Sequence, residues 1–178
     1  MEVDRVAARF SHDLSKMVRT MKNERDGFYQ HSLFVYYAFE YFAPFVRATP
    51  DGRYSGDLLS QGVSPGRLRG AKSPTDVVRS ISEVDFTEYA GNAVLDIQLP
   101  VNFKMDVSLL ASFFKTFAES GVPTIQPNLV SIEDLKDAKE HPERHKNLIV
   151  RFSGLSALFI ALEASVQNEI IDRKMYVG

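Results

Sequence analysis

No cysteine occurs among the 178 residues. That absence excludes disulfides, thiolate zinc sites, cysteine-ligated iron–sulfur clusters and a cysteine nucleophile from this chain. An excess of positive charge is missing too. Lys and Arg number 21 against 23 Asp and Glu, the net charge is -2, and the basic residues are dispersed. A nucleic-acid surface or a basic membrane patch needs clustered cations, so neither is expected. No stretch approaches the roughly 18 apolar residues of a membrane span, since the longest candidate, Leu33 to Val46, is interrupted by Glu40 and Pro44. The opening Met1-Glu2-Val3-Asp4-Arg5 lacks the basic-then-apolar order of a signal peptide, and a cytoplasmic location is expected. The sequence also has no internal repeat, low-complexity tract or interdomain linker. What is present is an ordinary globular mixture, 44% hydrophobic and 25% charged, long enough for one domain with a real core.

Hydrophobic periodicity predicts an amphipathic helix over residues 2–21, with Val3, Val6, Phe10, Leu14, Met17, Val18 and Met21 on one stripe. His12 lies on or beside that stripe and reads as a packing residue. The aromatic run Phe28 to Tyr37 is dense in strand formers and is predicted as a buried strand, its continuation to Phe45 being equally compatible with a buried helix. Residues 47–74 carry Pro50, Gly52, Pro65, Gly66, Gly70 and Pro74 and read as one long loop, a kind of connection that is usually functional. Helices follow over about 74–84, with Ser73 as N-cap, and about 106–120, closed by Gly121. Leu109, Leu110, Phe113, Phe114 and Phe117 form the buried side of the second. Val94 to Leu99 is a strand. Ile125 to Val130 is another, demoted to an edge by Pro127. Ser131 with Glu133 and Asp134 opens a short helix to about Glu140, ended by His141-Pro142. Leu148 to Phe152 is a short apolar strand, and a helix from about Glu163 to Arg173 closes the chain. The class is α/β. The strands are apolar on both faces but too few for a complete sheet, which points to a piece of a larger barrel.

Three blocks then resemble one known family, the glycyl radical enzymes, which include pyruvate formate-lyase and relatives acting on diols, choline, hydroxyproline and arylacetates. The first is Thr49-Pro50-Asp51-Gly52-Arg53, followed by Gly56, Leu58, Gly62 and Ser64-Pro65. The second is Gln126-Pro127-Asn128-Leu129-Val130-Ser131 with Leu135, Ala138 and His141-Pro142-Glu143. The third is Arg151-Phe152-Ser153-Gly154-Leu155-Ser156-Ala157, followed by Gln167, Glu169-Ile170-Ile171 and Arg173. Each block alone is unspecific, since Pro-Asp-Gly marks many turns; three in order over nearly the whole chain are specific. Leu155 stands where the family has tyrosine, Phe152 where it has valine, Pro127 where it has phenylalanine and Lys174 where it has threonine.

The resemblance implies the C-terminal portion of a glycyl-radical-enzyme-type α/β barrel with a radical-loop finger, incomplete on its own. Residues 1–60 would be the end of the barrel-forming region and residues 61–178 the glycine radical domain, with the loop around 151–157. It implies Gly154 as radical carrier, supported by Arg151, Ser153, Leu155 and Ser156. Arg151 is expected to anchor the loop by charge-assisted hydrogen bonds and the two serines to satisfy loop amides. Radical installation is expected from a radical-SAM activating enzyme using S-adenosylmethionine, with no bound cofactor and no metal. The family's substrate-attacking cysteine would come from a remainder of the enzyme that this chain lacks. The implied reactions are those of a formate acetyltransferase, dehydratase, decarboxylase or other lyase, the departures leaning away from pyruvate formate-lyase. A stand-alone replacement protein for a cleaved enzyme and an inert module retaining the fold stay open as alternatives. The bare chain is expected to expose apolar surface and to form oligomers. Asp51-Gly52-Arg53 reads as a structural turn holding a buried arginine. His141 and His145 read as loop residues, because Pro142 breaks the helix that would align them on a metal.

Overall fold

A computed structural model describes residues 2–65, 73–99, 101, 106–152 and 154–172. Six α-helices and four strands follow one another in it: α1 (Glu2–Thr20), α2 (Ala38–Tyr41), α3 (Pro74–Ile81), β1 (Val94–Gln98), α4 (Val107–Glu119), β2 (Thr124–Asn128), α5 (Ile132–Glu140), β3 (Ile149–Phe152), β4 (Leu155–Leu158) and α6 (Ala164–Asp172). The helix starts are written in the sequence. Ser73, Asp106 and Ser131 each accept a hydrogen bond from a backbone N–H in the first turn of α3, α4 and α5, through Asp76, Leu109 and Asp134. Gly121, at φ +77°, follows α4 where the left-handed conformation favours glycine.

Two strand pairs carry the architecture. β1 and β2 pair in parallel with Asp96 opposite Gln126 and Gln98 opposite Asn128. The connection between them is α4, the crossover that a parallel pair requires. β3 and β4 pair antiparallel as a hairpin, Phe152 opposite Leu155. Among the described residues β2 pairs only with β1, so Pro127 sits on an edge, as its missing N–H demands. Two apolar clusters back these pairs. Leu95, Ile97 and Leu99 pack with Phe113, Phe117, Val77 and Val78 beneath the first pair. Val150 and Phe152 pack with Leu135, Ala138, Phe159, Val166 and Ile170 under the hairpin.

Several expectations are corrected. The run Phe28 to Tyr37 is no buried strand. It makes only isolated bridges, Lys22 to Phe28 and Leu33 to Ala93, and Phe28, Tyr29, Tyr36 and Tyr37 are exposed. Strand propensity expresses fit to a half-buried pleated surface; Leu33 and Val35 do pack against the two apolar clusters, but among the described residues no neighbouring strand pairs along the segment. The stripe of α1 is likewise turned outward. Val3, Val6, Phe10, Met17 and Met21 are exposed while Ser11 and Ser15 face inward. His12 is exposed and its Nδ1 lies 2.8 Å from Glu88 Oε1, so it is a surface hydrogen-bonding group and not a packing one. Leu109 and Phe114 are more exposed than expected of the core side of α4. Gly66, Gly70 and the end of the closing helix at Arg173 lie outside the described residues.

The loop from residue 47 onward behaves as a structural turn. The buried Arg53 guanidinium donates to the carbonyls of Tyr54 (3.0 Å), Asp57 (2.7 Å), Val46 (3.2 Å) and Arg47. Gly62 is forced: a Cβ there would sit 2.3 Å from the Val94 carbonyl oxygen.

Candidate functional site

The site is the tip of the β3–β4 hairpin. Phe152 and Leu155 pair across it and leave two residues between. Gly154, the second of these, has φ +87°, a conformation that L side chains rarely adopt. Its N–H donates to Gln126 Oε1 at 2.9 Å. An ideal Cβ built on Gly154 would meet Phe34 Cε2 at 3.5 Å and Gln126 Nε2 at 3.6 Å, ordinary contact distances. The glycine is therefore demanded by backbone conformation and not by lack of space.

β2 places the residues that hold the tip. In a strand, alternate side chains share a face, so Gln126 and Asn128 project together while Ile125 and Leu129 join the apolar cluster behind. Asn128 grips β3: its Oδ1 accepts the Arg151 N–H at 2.7 Å and its Nδ2 donates to the Arg151 carbonyl at 2.9 Å. Beside them on β1 stand Asp96 and Gln98, in register with Gln126 and Asn128. All four are buried, with exposures of 6%, 2%, 7% and 4% respectively. A buried carboxamide is costly unless hydrogen-bonded. Here the partners include backbone, Gln98 Nε2 donating to the Val130 carbonyl at 2.6 Å. The hairpin is thus docked on the sheet through side-chain amides.

The residues singled out in the sequence fall as follows. Gly154 lies at the tip and is exposed. The Arg151 backbone is anchored by Asn128. Leu155 opens β4 half-exposed, and Ser156 pairs with Arg151 across the ladder and is exposed. Ser153 lies outside the described residues. The Gly154 amide is satisfied by Gln126. A long-range pairing of residues 28 positions apart carries no local signal. Gln126, Asn128 and Phe34 were missed as site residues; only the alternation of polar and apolar side chains along 125–129 pointed to two amides on one face. His141 and His145 are not brought together on a metal: His145 Nε2 lies 2.6 Å from Asp137 Oδ2, and His141 Nδ1 lies 3.8 Å from Glu143. That hydrogen bond from His145 holds the Asp137 carboxyl below its ordinary value of 3.8. Among the described residues no group of three or more His, Asp or Glu is placed to hold a metal ion, and no helix is long and apolar enough to cross a membrane.

Comparison with known proteins gives one consistent picture. The family model described as "Glycine radical" matches residues 59–160. The protein named "Probable dehydratase YbiW" from Escherichia coli K12 is 36% identical over 130 residues, covering 71% of this chain and 16% of that protein. Isethionate sulfite-lyase of Bilophila wadsworthia is 29% identical over 182 residues, covering 97% of this chain and 20% of that protein. Among solved structures, the glycerol-bound B12-independent glycerol dehydratase of Clostridium butyricum superposes with a TM-score of 0.92 at 31% identity, covering 99% of this chain and 23% of that one. The chain spans about a fifth of the length of the relatives it matches.

Proposed function

Since the chain belongs to the glycyl radical enzyme family and carries its radical-bearing region, we propose that Gly154 is the radical carrier. The observation that carries this reading is the hairpin tip itself, within the matched region: a glycine at φ +87° whose N–H is fixed by Gln126. Removal of one hydrogen atom from its Cα leaves one unpaired electron there. A planar Cα spreads that spin over both flanking amides, and glycine reaches planarity without a side chain crowding the peptide. An activating enzyme of the radical-SAM class, using S-adenosylmethionine and one electron, is the proposed source of the abstracting radical, and exposure of the tip fits its access.

The chain stores the radical and does not by itself attack substrate, because the family's thiyl step needs a cysteine and none is present. A cysteine-bearing body is the proposed partner. The outward stripe of Val3, Val6, Phe10 and Met17, with the exposed aromatics Phe28, Tyr36, Tyr41 and Phe45, supports it, since exposed apolar patches of this kind mark protein contacts. Within this assembly residues 1–60 belong to the barrel edge and residues 61–178 to the radical domain. For the whole enzyme we favour an elimination, the reaction class in the names of the dehydratase and sulfite-lyase relatives. Intact-mass analysis tests the assignment. After anaerobic activation and then air, O2 adds at Cα and the N–Cα bond of Gly154 is expected to break, releasing a C-terminal segment whose Leu155 nitrogen still carries the oxidised two-carbon remnant of Gly154. An uncut chain, or a cut elsewhere, refutes it.

A further inference from the structure

We propose that Gln126 is a positioning residue for the radical, setting both the orientation of the Gly154 amide and the share of spin that amide receives. The role in spin sharing rests on the reading of Gly154 as carrier; the hydrogen bond beneath it does not. Three observations converge. Gln126 Oε1 accepts the Gly154 N–H at 2.9 Å, its Nε2 borders the space beside the glycine Cα, and the side chain is buried. Two residues along the same strand face, Asn128 fixes the Arg151 peptide from both sides, so the strand leading into Gly154 is registered independently of Gln126. Phe34 also borders the tip, its ring edge 3.5 Å from the place a methyl group on Gly154 would take.

The chemistry follows from the acceptor. A carbonyl oxygen accepting from an amide N–H raises electron density on that nitrogen, and a planar radical at the adjacent Cα draws on it. Loss of the acceptor leaves more of the spin on Cα. Asn128 contacts the backbone three residues earlier and has no such influence on the Gly154 nitrogen. Gln126 thus tunes, and Asn128 docks.

Two measurements on the full chain test this. Amide hydrogen exchange needs no radical. In Gln126→Leu the Gly154 amide is expected to exchange about fivefold to tenfold faster than in the unaltered protein, as the loss of one net hydrogen bond implies, with Val150 and Phe152 unchanged. Gln126→Glu, which keeps an oxygen at the same place, is expected to restore slow exchange. An equal rate at Gly154 in Gln126→Leu, or a uniform acceleration over residues 149–158, overturns the proposal, the second because it would make Gln126 a docking group only. The second measurement is the paramagnetic resonance of the activated chain. Gln126→Leu is expected to widen the α-proton splitting while Asn128→Ala leaves it unchanged; identical splitting in Gln126→Leu overturns the tuning role. A missing signal in the unaltered chain would refute the carrier reading and with it the tuning role, and the exchange rates would still decide the positioning role.

Discussion

Replacing Gly154 by alanine separates what the hairpin tip demands of its backbone from what it does chemically. The added methyl group meets nothing closer than 3.5 Å, so no neighbour has to give way. The cost is the φ of +87°, which for a residue with a Cβ amounts to about 1–2 kcal/mol. For a chain of this size each kcal/mol lowers Tm by about 2–4 °C. Gly154→Ala is therefore expected to stay folded, with Tm lower by about 2–8 °C in thermal unfolding followed by circular dichroism. Gly62→Ala supplies the contrast. Its Cβ would press within 2.3 Å of the Val94 carbonyl oxygen and 3.2 Å of the Leu33 carbonyl oxygen. Overpacking against backbone adds about 1–3 kcal/mol to the same kind of φ penalty. Two outcomes refute the reasoning: a Gly154→Ala protein as unstable as Gly62→Ala, which would mean the tip is crowded, or one with unchanged Tm, which would mean the conformation is not strained.

Other expectations follow from the same structure. Arg53→Lys leaves an ammonium unable to span the four carbonyls that the guanidinium serves, and a loss of about 2–3 kcal/mol is expected in urea unfolding. Ser131→Ala removes the cap of α5 and is expected to cost about 1 kcal/mol, while Ser131→Asp preserves it. The Asp137 carboxyl is depressed below 3.8, chiefly by its hydrogen bond with His145. A depressed carboxyl contributes stability above its unfolded value and loses it as pH falls through the lower folded value. Asp137→Asn is therefore expected to be less stable than the unaltered chain at about pH 6, with the difference vanishing at the acid end below that carboxylate range.

Local chemistry in the sequence is read well here, and long-range partnership is not. The caps Ser73, Asp106 and Ser131 announce their helices because a short side chain ending in oxygen has one satisfying use at that place, the free N–H groups of the first turn. The edge position of β2 follows from the N–H that Pro127 lacks. The aromatic run 28–37 misleads for the opposite reason. Its propensity is real, but a strand is defined by a partner, and Leu33 finds only a single bridge to Ala93. The stripe of α1 is periodic in the sequence and outward in the structure, since periodicity states which face is apolar and not what covers it. At the site, the segment that forms the hairpin tip was legible from its motif. The Gln126 acceptor was not, because a buried carboxamide looks in sequence like any surface glutamine until the hairpin is laid against it.

The central claim is tested most directly by anaerobic paramagnetic resonance of the chain treated with a radical-SAM activating enzyme, S-adenosylmethionine and a reductant. A glycyl doublet is expected from the single α-proton of Gly154, collapsing when glycine is deuterated at Cα and absent from Gly154→Ala. No doublet in the unaltered chain, or a doublet that persists in Gly154→Ala, would contradict the account.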